Sequence, residues 1–377
     1  MHFDVIIIGA GSMGMAAGYF LAKSGKSTLL LDAHTPLHQR GSHHGETRMI
    51  RHAYAEGEQY VPFVRRAQSL WYELERESGK EIFLKTGVLS VGKETGQFIQ
   101  ETIKSAEKYD LPLLTLSRKE VHNRFPGMHV PNESVGCFES ISGVLKCEDS
   151  ITAYKALAKH YGATLLTGSR VTGVSLNNHV AQVHTVDETY AAHSVIISAG
   201  AWSGPLLDTI GLKLPLTPLR KTFAWFHADE QTYGKDAFPA FAYESSNGLY
   251  YGFPSIEGAG LKVGRHDGGT PIHPDEQMAP FGTLAEDEED LRTFVHRHMP
   301  TVNDLAYGKT CLYTMTPDDR FIIDRHPQYK NLYVAAGFSG HGFKFSSAVG
   351  QALSQLVCLG ETEIDISAFS LDRFQRK

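Results

Sequence analysis

The chain of 377 residues has only four cysteines, Cys137, Cys147, Cys311 and Cys358, too few and too scattered for a secreted disulfide framework. No C-x-x-C spacing occurs, which removes zinc ribbons and thioredoxin-type redox motifs. No run of about 18 apolar residues offers a membrane span. The start, from Met1 into an apolar stretch carrying Asp4, lacks the basic head and small-residue cleavage site of a signal peptide, so a cytoplasmic location is expected. Positive charge is also short. The 36 Lys and Arg against 42 Asp and Glu leave a net charge of −6, which recommends neither nucleic acid nor an anionic membrane as partner. Repeats and low-complexity segments are lacking too.

What is present is an ordinary soluble composition, 42% hydrophobic and 21% charged, able to bury a sizeable core. At roughly 150 residues per domain the length suggests two domains. Glycine is the outlier, 36 residues, much of it in clusters that read as ligand loops.

The apolar run Val5-Ile6-Ile7-Ile8, a Gly-rich turn, a helical stretch from Met15 to Ala22, the stop at Gly25 and the run Thr28–Asp32 spell β-α-β in about 30 residues. The turn is Gly9-Ala10-Gly11-Ser12-Met13-Gly14, a G-x-G-x-x-G whose glycines permit a tight turn, close approach to a pyrophosphate and close helix–strand packing. Free amides at the helix start bind phosphate, and Asp32, ending the second strand, can accept both ribose hydroxyls. That acid disfavours a 2′-phosphate, leaving FAD and NAD. Two further glycine loops at strand exits, Ile197–Ser203 and Gly337–Gly342, exceed what an NAD reductase needs, and a helix start beside Lys344 would stabilise a reduced flavin's negative charge, so FAD is favoured.

Elsewhere the spacing predicts a helix from Glu58 to Gly79, with Pro62 in its first turn, and another capped by Ser150 and ended by Gly162. Residues 163–198 read as short strands, and about 215–300 as a mainly antiparallel sheet containing Thr222–Phe226, Leu249–Phe253 and Leu261–Gly264. The expected fold is α/β: a discontinuous Rossmann-like FAD-binding domain of the glutathione-reductase type, residues 1–85, 145–215 and 308–377, with an inserted, mainly antiparallel-sheet substrate domain, 86–144 and 216–307.

The densest polar cluster is Ser42–His52. Arg48 and Arg51, three apart, would share a face if the segment turns helically, and a guanidinium suits a small carboxylate. A solvated basic turn is the plainer reading. A metal site is the poorer one, since adjacent His43 and His44 diverge and no carboxylate or Cys lies at ligand spacing.

Val5–Gly14, Gly41–Tyr54, Tyr250–Pro254, Thr316-Pro317-Asp318 and Gly337–Phe345 resemble the monomeric sarcosine oxidase and N-methyltryptophan oxidase family across essentially the whole chain. The resemblance implies an FAD-dependent, monomeric oxidase that demethylates N-methyl amino acids with O2, giving the amino acid, formaldehyde and hydrogen peroxide, with no metal. It implies that Arg51 and Lys344 hold the substrate carboxylate, that Lys262 activates O2, that Cys311 links covalently to the flavin, that Tyr251, His266 and Tyr313 line the pocket, and that His44, Thr47 and Arg48 contact the flavin together with Gly340 and Gly342. It gives His341 a loop role. Ala242, where sarcosine oxidases carry a pocket Met, leaves room for bulkier side chains, and Lys221–Trp225 and Gly264–Gly269 look closer to the N-methyltryptophan branch. Glu46 replaces the usual Asp of its block. The rivals are a flavin dehydrogenase using another acceptor, a non-catalytic nucleotide-binding protein and an NAD-linked reductase.

Overall fold

The structure, a computed structural model, describes residues 2–177, 179–302 and 304–374. The expected end points of the chain at residues 1 and 377 lie outside them.

Parallel pairing of His2–Ile8 with Thr28–Asp32 on one side and Thr189–Ile197 on the other builds the centre of an eight-stranded sheet. Thr164–Thr167 extends it beyond Thr28–Asp32, and Leu332–Ala336 pairs parallel to Thr189–Ile197. The unbroken apolar runs are explained by burial on both faces. Ile7 and Leu30 join the core beneath helices Ser12–Lys23, Cys147–His160 and Ser346–Leu359, while Ile6, Ile8 and Leu29 pack on the other side with Leu206 and Leu207. Each such side chain contributes about 1.5–3 kcal/mol by leaving water.

The second sheet has nine strands and is antiparallel except for one parallel pair, Val88–Lys93 with Ala240–Ser245. Its core gathers Phe226, Phe241, Tyr243, Tyr250 and Val263 against Phe294 of the helix Glu286–His298. The strand Leu305–Met315 belongs to this sheet along its whole length, beyond the expected boundary at residue 308. A small third sheet of Thr47–Ile50, Phe83–Leu84 and Gly143–Lys146 completes the framework.

Two local expectations change. The helix expected to be capped by Ser150 starts four residues earlier, at Cys147 after Lys146; Ser150 lies inside it and donates back to the Cys147 carbonyl, while Glu148 and Asp149 occupy the first turn. Arg48 sits in a strand, not a helical turn, because Thr47–Ile50 pairs antiparallel with Gly143–Lys146; Arg51 follows just beyond its end. The helix Tyr60–Ser78 matches its expectation, with Pro62 in the first turn and Gly79 left-handed at the stop.

Candidate active site

The first βα turn shows why glycine is required. Gly9 has φ +94°, and a Cβ on Gly14 would lie 1.9 Å from the Gly9 carbonyl oxygen. The helix that follows starts at Ser12 with no side-chain cap and no acid in its first turn, so its leading amides are free for an anion. Asp32 Oδ2 accepts from the Ala10 amide at 2.8 Å and Oδ1 from the His34 amide at 2.8 Å. Although burial opposes ionisation, these bonds and the neighbouring His38 hold its carboxyl below the usual range.

A cavity of about 620 Å³ opens over this turn. Gly9, Gly11, Ser12, Met13 and Asp32 line one end; Arg48, Tyr313, Gly340 and Gly342 line the other. A cleft with bare helix amides at a glycine turn and an acid at the end of the second strand fits FAD. The cleft is also large enough by the usual span of cofactor sites, about 300–1,000 Å³. His44, Thr47 and Cys311 do not line it. They form a buried layer close behind, and His43 rather than His44 reaches the cavity. Cys311 is buried beside Phe223, Trp225 and Tyr313; burial raises its thiol pKa, while Arg48, Lys262 and Lys221 pull the other way.

A second, smaller cavity of about 80 Å³ shares Arg48, Tyr313, Gly340 and Phe343 with the first. Its walls are Arg51, Lys344, Tyr251, His266 and Ala242, residues drawn from five separate stretches of chain. Arg51 directs Nη2 at both oxygens of Glu56, 2.6 and 2.7 Å away, and leaves its buried Nη1 without a partner among the described residues. Lys344 Nζ donates to the Tyr54 hydroxyl at 3.2 Å and the His341 carbonyl at 3.1 Å, both neutral acceptors. Burial and the Arg51 charge push its pKa down to about 7. Glu56 is held down to about 2: burial works against this, but Arg51 dominates with His341 and Lys344 behind it. Burial takes His266 down to about 4, leaving a neutral ring beside Tyr313, and lifts Tyr251 to about 12.

Lys262 lines neither cavity. It is 1% exposed, sits between the rings of Phe223, Trp225 and Phe253, and donates to the Gly45 carbonyl and to Thr47. Burial, then Arg48, lowers its pKa to about 7. His341 carries more than its loop. Its Nδ1 lies 2.7 Å from the Tyr54 hydroxyl and Nε2 3.1 Å from the Asp319 carbonyl. Glu56, Tyr54 and Glu139 were not legible as site residues. Glu139 accepts from the amides of His52 and Ala53 across 87 and 86 residues of chain, a separation no local spacing encodes.

Residues 4–356 match the FAD dependent oxidoreductase family. Monomeric sarcosine oxidase of Bacillus sp. (strain B-0618) is 50% identical over 99% of this chain and 96% of its own. N-methyl-L-tryptophan oxidase of Yersinia pestis (strain Pestoides F) is 42% identical over the full length of both. Whole-chain identity to these two thus runs toward the sarcosine enzyme, opposite to the leaning of the two short segments. Among solved structures, NikD, an unusual amino acid oxidase essential for nikkomycin biosynthesis, superposes with a TM-score of 0.86 at 24% identity, covering 98% of this chain and 97% of its own, a likeness of fold. With the glycine turn, the cleft and these relatives in agreement, the chain belongs to the FAD-dependent oxidoreductases, in the family of monomeric sarcosine oxidase and N-methyl-L-tryptophan oxidase.

Proposed function

We propose that this protein oxidises the N-methyl group of a small N-methyl amino acid with O2, releasing the amino acid, formaldehyde and hydrogen peroxide. The observation that carries this reading is the small cavity abutting the cofactor cleft, with two buried cations converging on it. When bound, FAD supplies the two-electron acceptor and the later donor to O2.

The chain's own residues bind and orient. Arg51, with its free Nη1, and Lys344 grip a carboxylate, which takes the place Glu56 holds beside Arg51. Tyr251, Tyr313 and the neutral His266 wall the amine end and exclude water, so the methyl group is held against the cleft rather than solvated. Lys262 provides positive charge where O2 gains electrons. Cys311 is the proposed attachment point for the flavin, since the next two residues of its strand, Leu312 and Tyr313, line the cleft.

Size favours sarcosine. Ala242 does line the cavity, but at about 80 Å³ beside the cleft the space suits the smallest N-methyl amino acid, and an added indole side chain requires the walls to move further. Purified yellow protein is therefore expected to release peroxide under air with sarcosine, at a higher kcat/KM than with N-methyl-L-tryptophan. Flavin bleaching by sarcosine without peroxide would leave a dehydrogenase instead, and no bleaching with either amine would remove the reading. Colour that stays with acid-precipitated protein, and is lost in Cys311→Ser, tests the attachment.

A further inference from the structure

The segment Gly45-Glu46-Thr47 is folded into a tight turn: the Thr47 amide donates to the Gly45 carbonyl at 2.8 Å, two residues back. Its central residue, Glu46, has φ 72°, and Gly45 before it has φ 96°. This is the rarer, strained form of the three-residue turn, and a non-glycine residue in that conformation persists only where its surroundings impose it. What imposes it is Glu148, in the first turn of the helix Cys147–His160. One carboxylate oxygen accepts from the Gly45 amide at 2.9 Å, and both accept from the Glu46 amide, at 3.1 and 3.0 Å. The Cys147 amide closes the clasp by donating to the Glu46 carbonyl at 2.8 Å.

The Glu46 amide and the Gly45 carbonyl belong to one peptide group. In a trans peptide they point in opposite directions. On the far side, the Gly45 carbonyl accepts from Lys262 Nζ. Carboxylate, peptide and ammonium therefore lie in series, Glu148 polarising the same peptide whose oxygen receives the Lys262 proton. No acid side chain hydrogen-bonds Lys262 directly among the described residues; its other acceptors are the Thr47 carbonyl and hydroxyl, each at 3.2 Å. The charged and titratable groups around it are His44, Glu46 and Arg48 of the facing segment, Cys147 and Glu148 at the helix start, and Lys309 and Cys311 on the strand Leu305–Met315. Two cations, Arg48 and Lys309, are matched there by two carboxylates, Glu46 and Glu148; the Glu46 side chain faces Lys309 at 3.6 Å, whereas the Glu148 side chain is hydrogen-bonded to the peptide that receives the Lys262 proton.

We infer that Glu148 is the positioning residue and remote counter-ion of Lys262, acting through the Gly45–Glu46 peptide to hold the lysine in place and charged. This rests on the oxidase reading only for the consequence of that charge, and the test separates the two. In holoenzyme carrying 13C-labelled lysine, the Lys262 Cε signal, identified by its loss in Lys262→Met, is titrated with pH. Glu148→Gln is expected to move its midpoint down by about one pH unit, a tenfold change in proton affinity. The rate of flavin reoxidation by O2 should lose its high-pH limb over the same interval, with anaerobic reduction by sarcosine unaltered. An unmoved Lys262 midpoint overturns the inference whatever happens to the oxygen rate. A moved midpoint with Lys262→Met still reacting normally with O2 sinks the role proposed for the lysine and leaves the inference standing. If Glu148→Gln gives no yellow protein, Glu148→Asp, which keeps the charge but withdraws it by one methylene, is titrated instead. A smaller shift in the same direction supports the coupling, and none overturns it.

Discussion

Arg51 and Lys344 are both buried cations, yet different partners meet their charge. Arg51 has the Glu56 carboxylate, whereas Lys344 has only a phenol and a backbone carbonyl. On the proposed reading, in which Lys344 holds the substrate carboxylate, a pKa near 7 makes that binding pH-dependent. The attraction requires the protonated amine, so it is complete well below 7 and declines as pH rises through that value. Acetate, which has no titrating amine, is therefore expected to bind most tightly between its own carboxyl pKa, about 5, and about pH 6, and ever more weakly above neutrality. A dissociation constant flat through neutrality, in titrations followed by the flavin spectrum, would count against the lysine, and Lys344→Met should abolish the dependence. Glu56 competes for Arg51. Breaking a partly exposed ion pair is worth about 1 kcal/mol, so Glu56→Gln is expected to lower KM for sarcosine roughly fivefold with kcat little changed. A raised KM would mean that the acid orients Arg51 instead of occupying it.

Elements place these side chains. The loop that follows Thr47–Ile50 and carries Arg51 is pinned from the strand Ser134–Glu139, where Glu139 accepts from two loop amides, meets His52 Nδ1 at 2.8 Å and receives the Ser142 hydroxyl at 2.6 Å. Burial resists its ionisation, but His52, Ser142 and the amides hold its carboxyl below the ordinary value. A depressed folded-state pKa contributes stability above the unfolded-state pKa and loses it as pH falls through the folded one. Glu139→Gln should thus cost about 1–3 kcal/mol near neutrality, and the gap in melting temperature to wild type should close toward acid pH. A gap independent of pH would assign the loss to packing. The same segment marks where reading the chain succeeds and where it stops. The glycine turn and Asp32 are legible because their chemistry is local, a helix start directly after a strand. That Arg48 lies on a strand is decided by its pairing with Leu145, and that Cys147 rather than Ser150 begins a helix by the Glu46 carbonyl waiting for its amide. Both partners lie about 100 residues away, beyond any periodicity.

At the scale of the molecule the cofactor cleft is a junction. Its walls come from the first βα unit, from residues 38–48, from 169–172, from the strand exit at 198–209, from Leu312–Thr314 of the second sheet and from the loop 337–343. The two sheets meet there through Leu312–Thr314 and the glycine loops, and a meeting of strands so far apart in sequence is why Lys262 and Cys311 stand out through the resemblance and not through composition or spacing. A ligand touching so many segments binds the folded chain and has nothing equivalent to hold in the unfolded one. At about a thousandfold excess over its dissociation constant, such a ligand adds about 4 kcal/mol, which for a chain of this size is roughly 5 °C in melting temperature. Protein made under riboflavin limitation is expected to melt that much lower than the yellow form and to recover with added FAD. Recovery should be smaller in Gly14→Ala, whose new methyl group would lie 1.9 Å from the Gly9 carbonyl oxygen and distort the phosphate turn. If flavin-free and flavin-loaded protein melted together, the cleft would be a preformed hollow that the cofactor merely occupies, and its walls would have to be held by the sheets alone.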